Sequence, residues 1–429
     1  LNSPSIISDS CSFERFREIA FHFVREHEAD VLLGSPNFPD SCMSYLGIEP
    51  QGELVLQSDI SGADVSAKMK AFCFAGDGPV IGYLSYELGH KLRGVGSNKD
   101  AEFPLLHLKK YRAVLVHDGG KSSLKSLCTN EAYRLVIEGS IQKAEAIPDV
   151  KLPSFAEGDI CMSLDKQGYE DGVSRTLEYI RDGLTYQLNL TTRLTMDGGK
   201  VDPVLWFFGL HKRYPAPYYA LFSSGGKVIV STSPELFLRV EQGRVLSEPI
   251  KGTLRFDEYS EEQVYSLQNS IKEDSELSMI VDLIRNDISA DCSYGSVVVE
   301  DHKSVFAVDN LLQMFSRVRG ELAEGRDCID LLLNAFPGGS ITGCPKKSSM
   351  ELIDRLEPHV RGPYCGSIVL IHGPQDMVSS IPIRTAVYDR ETTKLDYWAG
   401  SGIVIDSDPE AEYKETIAKA GKILDPESV

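Results

Sequence analysis

No stretch of this chain stays apolar long enough to cross a bilayer. The longest hydrophobic runs are short and broken by polar residues or glycine, so no membrane partner is expected. Basic residues are scarce, 44 against 63 acidic, and the formal charge of −19 argues against nucleic acid, because neutralising phosphates takes a basic surface. Paired cysteines are missing too. The nine present are odd in number and include no C-x-x-C, so neither a disulfide framework nor a zinc site is expected. They fit buried small hydrophobes in a reducing compartment. The opening residues LNSPSIISDSCSFERF lack a basic segment followed by an apolar one, so no secretory signal is expected and the location expected is cytoplasmic.

What is there is an ordinary globular composition. The 429 residues are 42% apolar and 25% charged, enough for a sizeable core in one large or two intimate units. Residues 145–160 carry two prolines and a glycine between helical patterns at 129–144 and 166–182, which places a boundary between 1–150 and 160–425. Before it, helices at 11–28 and 63–72 alternate with strands at 30–34, 42–57, 80–85 and 110–117. After it, a strand at 186–196 and a helix at 202–213 lead to strands at 217–223, 227–231, 234–240 and 244–249. A long helix over 258–286, strands at 364–372, 377–389 and 393–405, and a last helix at 409–424 complete the pattern. Strands joined by short turns, with helices between groups, point to an α+β fold rather than a parallel βαβ array.

The most informative residue is Lys251, in Glu248-Pro249-Ile250-Lys251-Gly252-Thr253. A neutral amine is a good nucleophile, partial burial makes that form accessible, and Gly252 lets a ligand approach. A three-residue turn at 242–244 puts Glu235 directly opposite Lys251, whereas a two-residue turn slips it by one and turns it away. Two helices each carry glutamates three apart, Glu273 with Glu276 and Glu412 with Glu415, the second followed by Lys419. Such pairs share a helix face, and two converging faces would suit Mg²⁺. Asp408-Pro409 is a good start for the second helix.

Phe336 to Lys347 forms a glycine-rich loop entering a helix, with Pro345 suited to the first helical position. The loop does not match a nucleotide-binding P-loop, since Cys344-Pro345 intervenes before the lysine and proline removes an amide. Arg384, in an apolar strand, suits a carboxylate ligand or a structural ion pair. Glycines at 400 and 402 suit either a bulge or close approach to a ligand.

Together these segments resemble the chorismate-utilising family of anthranilate, isochorismate and salicylate synthases, and most closely its aminodeoxychorismate synthase branch. The resemblance rests on SPELFL, PIKGTLR, MIVDLIRND, FPGGSITGCPK, LIDRLEP, CGSI and ETIAK; it is strong over 166–425 and weaker over 11–118. It implies two packed antiparallel sheets with helices outside and the site between them. It makes Glu235 a general acid, Glu276 and Glu415 Mg²⁺ ligands with Glu273 and Glu412 accessory, and Thr342, Tyr364, Arg384, Gly402 and Lys419 holders of the substrate carboxylates.

Gln187 stands where water-adding branches carry a lysine base, which disfavours isochorismate and salicylate synthesis. Lys251 stands where anthranilate synthases usually have alanine, and it marks the aminodeoxychorismate branch as a nucleophile on chorismate. Two positions depart from the family pattern: Gln313 replaces a usual histidine, and Ser289-Ala290 replaces Gly-Arg. The run Ser41 to Gly47 resembles part of the family's tryptophan pocket, which makes Ser41 a regulatory candidate and tryptophan its candidate ligand. No cysteine lies in a Gly-x-Cys-x-Gly elbow, so ammonia is expected from solution or from a separate glutaminase subunit. The product expected is 4-amino-4-deoxychorismate, for 4-aminobenzoate and folate synthesis. The alternatives are an anthranilate synthase component I, or a weakly active chorismate-binding subunit that scaffolds a glutaminase, which Gln313 alone favours.

Overall fold

The computed structural model describes residues 5–38, 41–76, 78–128, 130–149, 151–255, 260–308 and 311–424. Helices start where a side chain satisfies their first free amides. Ser12 accepts from the Arg15 amide to open Phe13–Glu26, whose Phe16, Ile19, Ala20 and Phe23 return to one buried face. Asp202 accepts from Val204 and Leu205 ahead of Pro203–Arg213. Asp408 accepts from Ala411 at 2.9 Å as Pro409–Leu424 begins.

The mixed helix and antiparallel sheet architecture agrees with the α+β expectation. The ladders between described strands are all antiparallel and chain the twenty described strands into one network, so the two expected layers are joined by hydrogen bonds. Two ladders cross the 145–160 segment. Val80–Leu84 pairs with Ser367–Gly373, Tyr83 opposite Ile368, and Ala29–Leu33 pairs with Tyr218–Ser224, Leu32 opposite Ala220. Both hydrophobic clusters also draw on both sides, one through Phe16, Phe23, Trp206 and Phe207, the other through Tyr83, Tyr169, Phe336 and Trp398.

Several elements differ from the sequence pattern for physical reasons. The helix expected over 258–286 is two, Glu261–Gln268 and Ile271–Ser289, because Ser270 caps a fresh N-terminus; residues 258–259 lie outside the described residues. The strand expected over 377–389 is also two, Asp376–Ser380 and Thr385–Asp389, interrupted where Pro382 has no amide to donate. Pro345 precedes the first helical turn instead of opening it, as the cap of Lys346–Leu356. Short helices Tyr86–Arg93 and Cys328–Ala335 had no expectation. Nor had the hairpin of Val298–Val308 with Leu311–Glu321, where a bulge between Glu300 and Ser304, with positive φ at Asp301 and Lys303, breaks the strand alternation. No described helix is long and apolar enough to cross a membrane.

One buried ion pair binds the N-terminal strands to the rest. Lys109 Nζ sits 3.0 Å from Asp30 Oδ2, with side chains 2% and 1% exposed. Asp30 also accepts from the Ser223 amide at 2.7 Å and the Tyr111 hydroxyl at 2.8 Å, while Lys109 donates to the Ser223 carbonyl at 2.7 Å. Asp30→Ala would strand a desolvated ammonium in the core. It should lower unfolding free energy by about 3–5 kcal/mol, measured as the shift in urea midpoint, whereas a change under about 1 kcal/mol would show that the pair is dispensable.

Candidate active site

Glu235 is the centre of the site. It follows Pro234 and precedes the strand Leu236–Glu241; its amide donates to Ser233 Oγ and its carbonyl accepts from the Ile381 amide at 3.1 Å. Ser340 Oγ, from the glycine-rich loop, donates to Glu235 Oε1 at 2.8 Å. Burial raises the Glu235 carboxyl above the ordinary carboxylate range, opposed by the Ser340 hydrogen bond and then by the charges of Lys251 and Arg384. Such a group keeps its proton at a pH where an exposed glutamate has lost it. Ser340 was not singled out from sequence, because a loop serine after two glycines carries no signal of its own partner.

Lys251 reaches this neighbourhood by a route the hairpin expectation did not contain. The turn is the two-residue Gln242-Gly243, both at positive φ, with Glu241 opposite Arg244 and Arg239 opposite Leu246. The register that would put Glu235 across from Lys251 is therefore not adopted. Pairing with Leu236–Glu241 stops at Leu246, while Arg244–Ser247 and, beyond Pro249, Ile250–Arg255 both pair with Leu311–Glu321, Lys251 standing opposite Met314. Gly252 makes a bulge there at φ 75°. That detour still leaves the Lys251 ammonium within electrostatic reach of Glu235.

Lys251 Nζ lies 3.9 Å from Glu276 Oε2. The Glu273 carboxylate lies against the bulge, since a Cβ on Gly252 would stand 3.2 Å from its Oε2. Gln313 comes from the facing strand, opposite Thr253 and Phe306. The 271–289 helix is held to the loop by Lys346, whose Nζ contacts Asp287 Oδ2 at 2.8 Å and the Ala335 carbonyl at 2.6 Å. Where they meet, a Cβ on Gly339 would stand 2.1 Å from Leu283, so only glycine fits.

The C-terminal helix carries the other two glutamates. Glu412 is buried and accepts from Ser407 Oγ at 2.6 Å, while Glu415 pairs with Lys419 at 2.7 Å. Lys419 also donates to the Gly400 carbonyl at 3.2 Å. Among the described residues no three His, Cys, Asp or Glu gather as a metal-holding group. Protein donors (Lys251, Ser407 and Lys419) already engage Glu276, Glu412 and Glu415. The donor type suits Mg²⁺, which needs only one or two carboxylates beside water and substrate oxygens.

Arg384 sits at φ 52° just before Thr385–Asp389, and its carbonyl accepts from the Thr232 amide and hydroxyl. Among the described residues it makes no ion pair, so the structural alternative weighed for it does not hold; its charge acts on Glu235, Tyr219 and Tyr397. Gly402 lies in an unbroken ladder opposite Asn189, which excludes a bulge, and a Cβ there would meet nothing within 4 Å. Packing does not require that glycine. Tyr364 is buried and stacks on Trp398, with ring centroids 6.1 Å apart and planes at 11°. Gln187 is buried beside the loop, paired with Cys344. Thr342 is fully buried, its hydroxyl donating to the Gly338 carbonyl at 2.8 Å and its carbonyl accepting from the Asn189 amide at 2.8 Å.

Ser41 belongs elsewhere. Its hydroxyl donates to Tyr218 Oη at 2.9 Å and accepts from Arg239 at 3.3 Å, in a cavity of about 150 Å³ that Met43, Tyr45 and Tyr218 help to line. None of Glu235, Lys251, Gln313 or the loop residues lines it.

A buried carboxyl, Glu235, thus has an amine, Lys251, and a guanidinium, Arg384, within electrostatic reach. A family profile described as chorismate binding enzyme matches residues 39–425. The chain is 33% identical over 367 residues to an anthranilate synthase component 1 of Haloarcula marismortui, covering 80% of this chain and 74% of that one. It is 34% identical over 356 residues to the aminodeoxychorismate synthase component 1 of Escherichia coli, covering 81% and 76%. The crystal structure of anthranilate synthase component I from Streptococcus pneumoniae superposes with a TM-score of 0.77 at 25% identity, covering 89% of this chain and 92% of that one. On this evidence the chain belongs to the chorismate-binding enzyme family.

Proposed function

We propose that this chorismate-utilising enzyme is an aminodeoxychorismate synthase component I, converting chorismate and ammonia to 4-amino-4-deoxychorismate and water. The observation that carries the reading is an amine, Lys251, within electrostatic reach of a buried carboxyl, Glu235, whose hold on its proton burial strengthens. The Lys251 amine attacks ring carbon C2 while the C4 hydroxyl departs, taking its proton from Glu235 and leaving as water. Ammonia then adds at C4 as the C2–N bond breaks, returning the amine of Lys251, and the enolpyruvyl group stays in place. Arg384 and Lys419 meet the substrate carboxylates, with Tyr364, Gly402 and the loop at Thr342 shaping the ring site. Mg²⁺ would be held by Glu276 and Glu415, with Glu273 and Glu412 accessory, and would neutralise a substrate carboxylate. Gln313 can donate a hydrogen bond but carries no proton at neutral pH, which is compatible with a reaction that skips pyruvate elimination.

Ammonia would come from a separate glutaminase, as the component names of the relatives suggest. Tryptophan is the candidate occupant of the Ser41 cavity, facing the Arg239 guanidinium. A second reading, anthranilate synthase component I, draws support from relatives of that name at nearly the same identity, 33% against 34%.

A product assay with chorismate, Mg²⁺ and ammonium separates the two. Aminodeoxychorismate without pyruvate is expected, and anthranilate with pyruvate would reject the leading reading. Lys251→Ala should slow amination or divert the product to anthranilate; an unchanged rate and product would remove the covalent step. Glu235→Gln should lower kcat by roughly 10²–10⁴-fold if it is the general acid. Ser340→Ala removes a hydrogen bond that favours the Glu235 carboxylate, so the alkaline limb of the pH–rate profile should move to higher pH. A shift to lower pH would contradict the assignment.

A further inference from the structure

A second buried ion pair stands directly behind the site. The side chains of Glu357 and Arg361 are each 1% exposed, and the guanidinium grips the carboxylate twice, Nε to Oε2 at 2.9 Å and Nη2 to Oε1 at 2.7 Å. Such a pair is a poor stabiliser compared with apolar residues of the same size, because desolvating two charges cancels most of their attraction. Its geometry suggests another use. Arg361 Nη1 donates to the Ile341 carbonyl at 2.8 Å and Nη2 to the Asn189 carbonyl at 2.7 Å. Ile341 lies between Ser340, which holds Glu235, and Thr342; Asn189 lies two residues from Gln187 and directly opposite Gly402.

The carboxylate extends the grip, taking the Thr191 amide at 2.9 Å and the Thr191 hydroxyl at 2.8 Å. From the N-terminal side, Glu87 accepts the Arg361 amide at 2.8 Å and the Gly362 amide at 3.0 Å, two residues short of Tyr364. One planar fork therefore sets the glycine-rich loop, the 187–197 strand and the turn carrying Tyr364 at fixed spacing, and Glu87 fixes the fork's own backbone.

We propose that Arg361 is a positioning residue for chorismate, acting through the Ile341 and Asn189 carbonyls to hold the loop against the substrate-facing strand, with Glu87 as its anchor. Lysine cannot replace it. A single ammonium keeps the charge but lacks the planar fork that serves a carboxylate and two carbonyls together. The inference rests on the site described above but not on which amination product forms, so the readout is chorismate binding.

The dissociation constant for chorismate is measured calorimetrically on the full chain with Mg²⁺ and no ammonia source, for the parent, Arg361→Lys, Thr342→Ala and the double variant. Arg361→Lys should weaken binding at least tenfold, and its effect should be less than additive with Thr342→Ala, because both loosen the same loop. Binding within twofold of the parent, or full additivity, would overturn the proposal. Should Arg361→Lys yield no folded protein, Glu87→Gln, which keeps an acceptor oxygen for only one of the two backbone amides, is judged against the same two criteria. An anthranilate product would reject the preceding functional reading and leave this result standing.

Discussion

Glu235 has been taken out of water, and the cost of that burial organises the groups around it. An isolated buried carboxylate is expensive, so the group either keeps its proton or finds charge and hydrogen bonds. Here both happen in part. Burial pushes the carboxyl up, and Ser340, Lys251 and Arg384 pull it down. The conjugate base therefore still has partners once the proton has gone.

The cations arrive by breaking strands rather than by following them. Lys251 is brought in after Pro249 ends one ladder, and the Gly252 bulge then angles it toward the glutamate helix. Arg384 is brought in after Pro382 interrupts a strand that would otherwise run on, and it takes a left-handed backbone conformation that a long side chain seldom adopts. Cys365, also left-handed, donates its amide to the carbonyl of Pro382, two residues before Arg384. Strain of this kind persists where surrounding structure over-determines it, and it clusters at working sites.

How much of this the sequence disclosed depends on the range of the signal. Capped helices such as 409–424 and alternating strands such as 393–405 were legible because their rules are local. The α+β class followed from the short turns between strands. The family was also legible, because motifs such as SPELFL and FPGGSITGCPK carry side-chain identity. Where those residues meet was not. The Gln242-Gly243 turn gave a register that, continued, would have turned Glu235 away from Lys251; nothing nearby in sequence showed that the pairing stops at Leu246 and that Lys251 lies on the 311–321 strand alone. Ser340 and Arg361 were missed for the same reason, since each works through partners 105 and 172 or more positions away or through loop carbonyls that leave no mark in composition.

The boundary drawn at 145–160 shows the same limit from the other side. Proline and glycine mark a linker, but a linker in sequence need not separate two packed bodies. Val80–Leu84 and Ala29–Leu33 each supply a strand to a ladder whose partner lies beyond residue 200. Without them, Ser367–Gly373 and Tyr218–Ser224 would each present an unpaired edge, the kind that invites aggregation. The 367–373 strand begins three residues after Tyr364, and Glu87 reaches the same turn from the N-terminal side. The residues before 150 therefore complete the sheet on which the site is built, so an acidic chain can keep its few site cations fixed against a field that would otherwise repel an anionic substrate.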